Sequence, residues 1–318
     1  MLADEGLATI TARQLATPAL ARSILRRFSI RPSKRWGQHF LVSPHGLERI
    51  LDAASLSTAD TVLEVGAGIG TLTLGLAERA GHVTAVEVDR GLLSALAAIA
   101  GTRPNVQLVP GDILALHLAA LFGGPAQAVR KVVANLPYAI ATEVISRLLA
   151  PSLAVTLMVV TVQREVAERI VSAPGTRSYG ILSLAVQYRA RARIVARIAP
   201  GAFLPPPEVA SAVVELVPLT QPAIAGADED TLFRVIRAGF SQRRKMLQGA
   251  LAAGLRLPKA AVADALRAAG IDPRARAETV DLAGFGRLAL CIGESLRTDA
   301  DRGTLGGGAG PPEGTPPG

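Results

Sequence analysis

The sequence predicts an α/β fold: a mostly parallel sheet with helices on both faces, closed by an antiparallel hairpin and followed by a small all-α domain. Three observations predict it. Apolar runs of strand length alternate with helical stretches between 61 and 171. Those runs are apolar throughout rather than at every second residue, the pattern of strands buried on both faces. After Pro218 the strand pattern stops, and only helical periodicity remains over 229–296.

Each element follows in order. Residues 1–30 read as a peripheral helical extension. The segment "RPSKRWGQHFLVSP" (31–44) reads as loop, bounded by Pro32 and Pro44, and a helix follows over His45–Ser55. Then "TVLEV" (61–65) precedes "TLTLGLAERA", "HVTAVEV" (82–88) precedes "GLLSALAAIA", and "VQLV" (106–109) precedes "DILALHLAAL". "KVVA" (131–134) precedes "AIATEVISRLLA", and "AVTLMVVTV" precedes "QREVAERIV". "YGILSLAVQYRA" and "ASAVVELVP" (210–218) both read as strands with no long helix between them, hence the hairpin. "LTQPAIAGADED" reads as a linker, and the helical stretch after it breaks at Gly254, Pro258, Gly270 and Pro273. The expected organisation is an extension over 1–30, a main domain over 31–220, a helical domain over 228–297 and a disordered tail over 298–318. The last 18 residues contain 11 Gly or Pro and almost nothing apolar to bury.

Composition narrows the function class. An apolar fraction of 49% suffices for a sizeable core. The longest apolar run, "AVTLMVVTV", falls well short of the ~18 residues of a membrane span. The first ten residues carry two acids and no apolar stretch, so no secretory signal is expected. The single cysteine, Cys291, excludes an intrachain disulfide, gives no metal cluster and fits a reducing cytoplasm. A net charge of +8 and a pI of about 10.5 favour a polyanionic partner. The basic residues are also grouped. Arg22 to Gln38 holds six of them and no acid, and 231–262 holds none either, with Arg243, Arg244 and Lys245 inside. Arg189, Arg191 and Arg193 alternate, so a strand would point them to one face. Three such segments suggest a surface that follows phosphates, although one alone is commonly just a solvated face.

Four motifs carry chemistry. In "LEVGAGIGTLT", Gly66, Gly68 and Gly70 follow a strand and open a helix, so a ligand can approach the backbone closely. A dinucleotide site has G-x-G-x-x-G. Here Thr71 stands where the third glycine would be, and G-x-G-x-G is the form carried by S-adenosylmethionine methyltransferases on their Rossmann-like sheet. Glu87 ends the next strand, 21 residues after Gly66, where a carboxylate can accept both ribose hydroxyls. Asp89 competes for that role but also suits a helix cap. Asp112 follows the third strand and can accept from an adenine amine, or cap 113–121. Fourth is Asn135-Leu136-Pro137-Tyr138. An exocyclic amine is a poor nucleophile because its lone pair is delocalised. The Asn135 side-chain oxygen and the Leu136 carbonyl can accept its two N–H bonds and oppose that delocalisation. Pro137 fixes the backbone, and Tyr138 offers a stacking face. The alternative for each motif is an ordinary turn or cap.

Together these motifs resemble the ribosomal RNA adenine N6,N6-dimethyltransferases, in particular the bacterial branch acting on small-subunit (16S) RNA. The resemblance spans roughly residues 10 to 295. "KRWGQHFL" (34–41) is similar to the family's Lys-x-x-Gly-Gln-Asn-Phe-Leu block, and "GAFLPPPEVASAVVELVP" (201–218) to its Phe-x-Pro-x-Pro-x-Val-x-Ser block. "FSQRRKMLQGAL" (240–251) and "AGIDPRARAETVDLAGF" (269–285) resemble its C-terminal domain. The resemblance implies S-adenosylmethionine as cofactor, touched by His39, Leu41, Gly66, Gly68, Glu87, Asp112 and Asn135. It implies Asn135, Leu136, Pro137 and Tyr138 at the target adenine, with Phe203 stacking on its other side. The basic segments described above fit RNA contacts at Arg189, Arg191, Arg243, Arg244 and Lys245. The implied substrate is a pair of adjacent adenosines near the 3′ end of small-subunit RNA, dimethylated late in subunit assembly by a monomer. His39 departs from the family's Asn, so its contact is expected through a ring nitrogen or the backbone, with pH dependence near neutrality in the first case. Three other readings stay open: an assembly factor with a minor catalytic role, a large-subunit resistance methyltransferase, and a DNA adenine methyltransferase.

Overall fold

The computed structural model describes residues 4–33, 37–122, 129–242 and 244–305. The chain divides into two compact units, one of Met1–Ser172 with Ala185–Ala223, the other of Ala173–Leu184 with Ile224–Gly318.

The first unit is built on β1 (Phe40–Leu41), β2 (Asp60–Val65), β3 (His82–Glu87), β4 (Val106–Pro110), β5 (Val129–Asn135), β6 (Val155–Gln163), β7 (Ala190–Ile198), β8 (Phe203–Leu204) and β9 (Ser211–Pro218). Seven of these form one sheet in the order β4-β3-β2-β5-β6-β9-β7. The first five run parallel, and β9 is antiparallel to both β6 and β7. The two-residue strands β1 and β8 pair apart from the sheet, Phe40 with Leu204 and Leu41 with Phe203. β2 is buried along its whole length, as expected of a strand with helices on both faces. The helices Pro44–Ala54, Thr71–Ala77, Arg90–Ala100, Ala141–Leu148 and Arg164–Val171 follow β1, β2, β3, β5 and β6. The fold class is the expected one: α/β, parallel-dominated, ending in an antiparallel pair, with a helical C-terminal region.

Several local expectations are corrected. The N-terminal segment is helical (Asp4–Leu7, Ala12–Leu15, Pro18–Arg27) but not peripheral. Leu7, Ile10, Leu15 and Ile24 are buried in the main core. Arg103 Nη2 donates to Ile10 O at 3.1 Å, and Glu78 accepts from Ala12 N at 3.2 Å. "DILALHLAAL" is not an α-helix but a turn followed by a 3₁₀ segment, Leu118–Leu121. Arg147 takes the Ile113 and Leu116 carbonyls at 3.0 and 3.4 Å, acceptors that an α-helix would need. "YGILSLAVQYRA" holds the helix Ile181–Arg189 rather than a strand. Leu182, Leu184, Val186 and Tyr188 are buried and fall at every second position, so the apolar pattern has the period of a strand although the chain is helical. The hairpin's first strand is therefore β7, and Arg189 ends a helix instead of sharing a strand with Arg191 and Arg193.

The second unit contains the helices Glu229–Phe240, Leu247–Leu255, Lys259–Ala268 and Leu282–Leu305. Asp228 caps the first by accepting from Thr231 N at 2.9 Å. Ala173–Leu184, placed with the main domain by the sequence reading, clusters here. Tyr179 explains why: it is 1% exposed, its hydroxyl donates to Val280 O at 3.0 Å, and its ring meets Phe240 edge-on at 6.2 Å. Gly175 N adds a bond to Glu278 O at 2.7 Å. The last helix continues through Leu305, past the start of the tail expected at 298, and 306–318 lie outside the described residues.

Candidate functional site

In a parallel sheet every strand delivers the chain to the same edge, so the residues after β2, β3, β4 and β5 meet there. The turn after β2 requires glycine. Gly66, Gly68 and Gly70 have φ of +74°, +60° and +92°, a region that costs a residue with a Cβ ~1 kcal/mol or more. Space demands it too. A Cβ on Gly66 would lie 3.3 Å from Pro137 Cδ, and one on Gly68 3.2 Å from Phe40 Cδ1. The glycine turn thus lets the segment after β5 and the segment carrying β1 close around the same opening.

Glu87 ends β3 and is 5% exposed. Its Oε2 accepts from Gly68 N at 2.8 Å, and its Oε1 accepts from Val88 N at 2.9 Å and Asp89 N at 3.0 Å. Burial pushes its pKa up, and these backbone N–H groups pull it back. Asp89 takes the capping role: its Oδ1 accepts from Gly91 N and Leu92 N at 2.8 and 3.3 Å. Its other oxygen accepts from Gln38 Nε2 at 3.0 Å, and Gln38 Oε1 in turn accepts from Ser33 N at 2.8 Å. The "GQHFL" segment is thereby tied to the end of β3. Asp112 is exposed, and its Oδ1 accepts from Leu114 N at 2.9 Å.

After β5 the chain presents the Asn-Leu-Pro-Tyr segment. Asn135 Nδ2 donates to the His39 carbonyl at 3.0 Å. Because a carbonyl only accepts, this contact fixes which way the amide faces and turns Oδ1 away from His39. Leu136 N donates to Thr161 O at 3.1 Å, whereas the Leu136 carbonyl receives no bond from the described residues. Tyr138 is half-buried with its hydroxyl 2.7 Å from Ser211 Oγ, and burial raises its pKa, offset by that bond. The His39 ring lies 5.3 Å from the Tyr138 ring at a 30° tilt, and its Nδ1 donates to Pro205 O at 2.7 Å. The contact at position 39 toward Asn135 therefore runs through the backbone. A contact of this kind does not depend on which side chain stands at position 39.

Phe203 is not brought to this opening. It is 2% exposed, belongs to the main core, and holds β8 against β1. A two-residue strand needs such an anchor, because two ladder positions alone do not hold it. Leu41, its partner, does line the cleft. Among the basic candidates, Arg191 is exposed on β7, and Arg244 and Lys245 are exposed after the helix Glu229–Phe240. Arg189 lies over the Tyr188 ring at 5.0 Å. Arg193 is held by Glu215 through two bonds of 2.7 and 2.9 Å. Arg243 lies outside the described residues.

One acid of the site escaped the sequence reading. Glu64, near the end of β2, is 1% exposed and lines the cleft. Its Oε2 accepts from Thr73 Oγ1 at 2.6 Å. Burial pushes its pKa up to about 8; the Thr73 bond works against the shift, and the Glu87 charge adds to it. The signal was available. A carboxylate inside the wholly apolar run "TVLEV" costs several kcal/mol to bury without a partner, so its presence needs a reason.

The cleft has a volume of about 230 Å³. Glu64, Glu87 and Asp112 line it, with His39, Leu41, Gly66, Gly68 and Asn135–Tyr138, and no Lys or Arg does so among the described residues. Three carboxylates without a basic side chain fit a nucleoside carrying positive charge rather than one carrying phosphates.

Comparisons with known proteins agree with this chemistry. The family model described as "Ribosomal RNA adenine dimethylase" matches residues 30–292. A protein of Pelotomaculum thermopropionicum named ribosomal RNA small subunit methyltransferase A is 44% identical over 283 residues, 86% of this chain and 96% of its own. One of Geobacillus thermodenitrificans with the same name is 41% identical over 285 residues, 88% and 97% of the two chains. Among solved structures, the 23S rRNA methyltransferase ErmE superposes with a TM-score of 0.59 at 27% identity, covering 80% of this chain and 99% of its own. A dimethyladenosine transferase of Plasmodium falciparum reaches 0.66 at 24% identity, covering 80% and 98%, a likeness of fold.

Proposed function

The chain belongs to the ribosomal RNA adenine dimethylase family, and from that premise we propose that it dimethylates two adjacent adenosines near the 3′ end of small-subunit ribosomal RNA, using S-adenosylmethionine. The observation that carries the reading is the Asn135 amide, whose nitrogen is committed to His39 O and whose oxygen is left for a donor from outside. When bound, the cofactor supplies an electrophilic methyl group on a positively charged sulfur.

The residues divide the work. Glu87 receives the ribose hydroxyls, and Asp112 receives the amine of the cofactor's adenine. His39, Leu41, Gly66 and Gly68 form the walls around them. Asn135 Oδ1 and the Leu136 carbonyl accept the N–H bonds of the target amine and keep its lone pair from delocalising into the ring. Pro137 holds that carbonyl in place, because its φ is restricted and it has no N–H to pair. Tyr138 gives the flipped base a stacking face, worth ~1–3 kcal/mol. The amine proton leaves to solvent after transfer, so the step needs no side-chain base.

The small-subunit assignment is supported by relatives of that name at 44% and 41% identity, against 27% for the 23S enzyme. In this reading the helical unit and the exposed Arg191, Arg244 and Lys245, with Arg189 and Arg243, follow the RNA backbone. The protein acts as a cytoplasmic monomer on a nearly assembled subunit.

The deciding experiment offers methyl-labelled S-adenosylmethionine with immature small subunits, unmethylated large subunits and naked DNA in parallel, and maps the product nucleosides. Dimethyladenosine confined to the small-subunit 3′ region is the expected result. Label in large-subunit RNA or in DNA would replace the substrate assignment. Tight small-subunit binding without label would put an assembly role first.

A further inference from the structure

The mechanism above makes no use of Glu64. It is nevertheless the most deeply buried carboxylate of the cleft, and its surroundings are unusual. It has one side-chain donor, Thr73 Oγ1 at 2.6 Å on Oε2. Among the described residues its Oε1 has no hydrogen-bond partner, and it is not one of the fully enclosed unpartnered atoms, which among them are Thr71 Oγ1 and Thr161 Oγ1. Oε1 therefore opens onto the cleft. The groups lining that cleft from the neighbouring elements are Glu87 at the end of β3, Asp112 after β4, His39 beside β1 and Tyr138 after β5. None is a fixed cation, and Glu87 adds negative charge. Glu87 differs in having three backbone N–H donors to support its ionised form. Glu64 has no equivalent support.

We propose that Glu64 enters the site protonated and gives its proton to solvent as the positively charged end of S-adenosylmethionine arrives, so that cofactor binding and proton release are one event. The inference rests on the cofactor reading above. Its physical basis is linkage. A buried acid is held neutral by the cost of burying its charge, and a cation placed beside it offsets that cost. The high pKa, about 8, puts the exchange in the physiological range. A consequence concerns product release. S-adenosylhomocysteine has lost the sulfonium charge, so it draws the proton away less effectively. The preference for cofactor over product then rises with pH up to about 8 and is smaller below it.

The test is titration calorimetry of the whole protein with S-adenosylmethionine and with S-adenosylhomocysteine at pH 6.5, in two buffers of different ionisation enthalpy. The difference between buffers counts protons. The wild type should release close to one proton per S-adenosylmethionine and distinctly less per S-adenosylhomocysteine. Glu64→Gln keeps the shape and the Thr73 contact. It should release almost none and should narrow the affinity ratio between the two ligands by on the order of tenfold at pH 8. Thr73→Val, which removes the donor, should keep the proton release and move its midpoint to higher pH. That variant decides the matter if Glu64→Gln does not fold. Equal proton counts for wild type and Glu64→Gln, or a midpoint unmoved by Thr73→Val, would overturn the proposal while leaving the cofactor reading intact. A wild type that binds neither ligand would overturn both.

Discussion

Two acids sit on the same strand and were treated very differently by the fold. Asp60 opens β2 and Glu64 lies one residue from its end, at 3% and 1% exposure. Asp60 is answered at its Oδ2, by a cation among other donors. Lys131 Nζ reaches it at 3.0 Å, and Ser57 donates to it through N at 2.6 Å and Oγ at 3.2 Å. Lys131 is answered as well, donating to Ser55 O and Ala54 O at 2.8 and 3.2 Å. Glu64, at the other end, has one hydroxyl and an open cleft. The strand is short, yet one end is closed for stability and the other is left electrostatically incomplete. In an open parallel sheet that asymmetry marks the ligand end, because an incomplete charge persists only where something outside the chain completes it.

The contrast can be broken from either end. The largest effect should come from pH. The folded pKa of Glu64 lies above its ordinary value of 4.5, so the native state holds the extra proton across the interval up to about 8. Its contribution to stability is full below 4.5 and is lost as pH rises through 8, roughly 1.4 kcal/mol per unit and ~4–5 kcal/mol in total. Denaturant melts of wild type and Glu64→Gln at pH 5, 6.5, 8 and 9 read it directly. Parallel curves would remove the contrast. At the closed end, Lys131→Met should cost about 3–5 kcal/mol by leaving Asp60 buried without its cation. The affinity of the surviving folded protein for S-adenosylmethionine should be unchanged in calorimetry.

Smaller effects separate chemistry from scaffolding at the open end. Asn135→Ala should lower single-turnover methylation by roughly 10²–10³-fold, the usual loss for one preorganised polar group. RNA binding in a filter assay should be retained. An active Asn135→Ala enzyme would end its assignment as the acceptor. Tyr138→Phe keeps the ring and loses only the bond to Ser211, so stability should fall by about 1 kcal/mol. Methylation should stay within a few-fold of wild type if stacking is the role of Tyr138.

Much of the site was legible because its signals are local. The glycines after β2 are required by positive φ, Glu87 and Asp112 by their places at strand ends, and Asn135-Leu136-Pro137-Tyr138 by a strand that breaks at a proline. Phe203 was misread for the opposite reason. Its motif places it beside the cleft in sequence, but whether an aromatic ring faces a ligand or the core depends on what packs behind it. Here the pairing of β8 with β1 turns it inward. Ile181–Arg189 was misread because its large apolar residues, Leu182, Leu184, Val186 and Tyr188, alternate with the period of a strand.

The sequence by itself determined the alternation of strands and helices, the glycine turn, the acids at successive strand ends and the basic character of the chain. Each of these is written in residue types within a few positions of one another. Only the tertiary structure decided that the N-terminal helices belong to the core, that Ala173–Leu184 joins the helical unit through Tyr179, and that Glu64 opens onto the cleft. It also decided that Asn135 is oriented by the carbonyl of His39, 96 residues away. Those outcomes depend on which distant groups share a neighbourhood, and the burial and hydrogen bonding that fix them exist only once the chain has closed on itself.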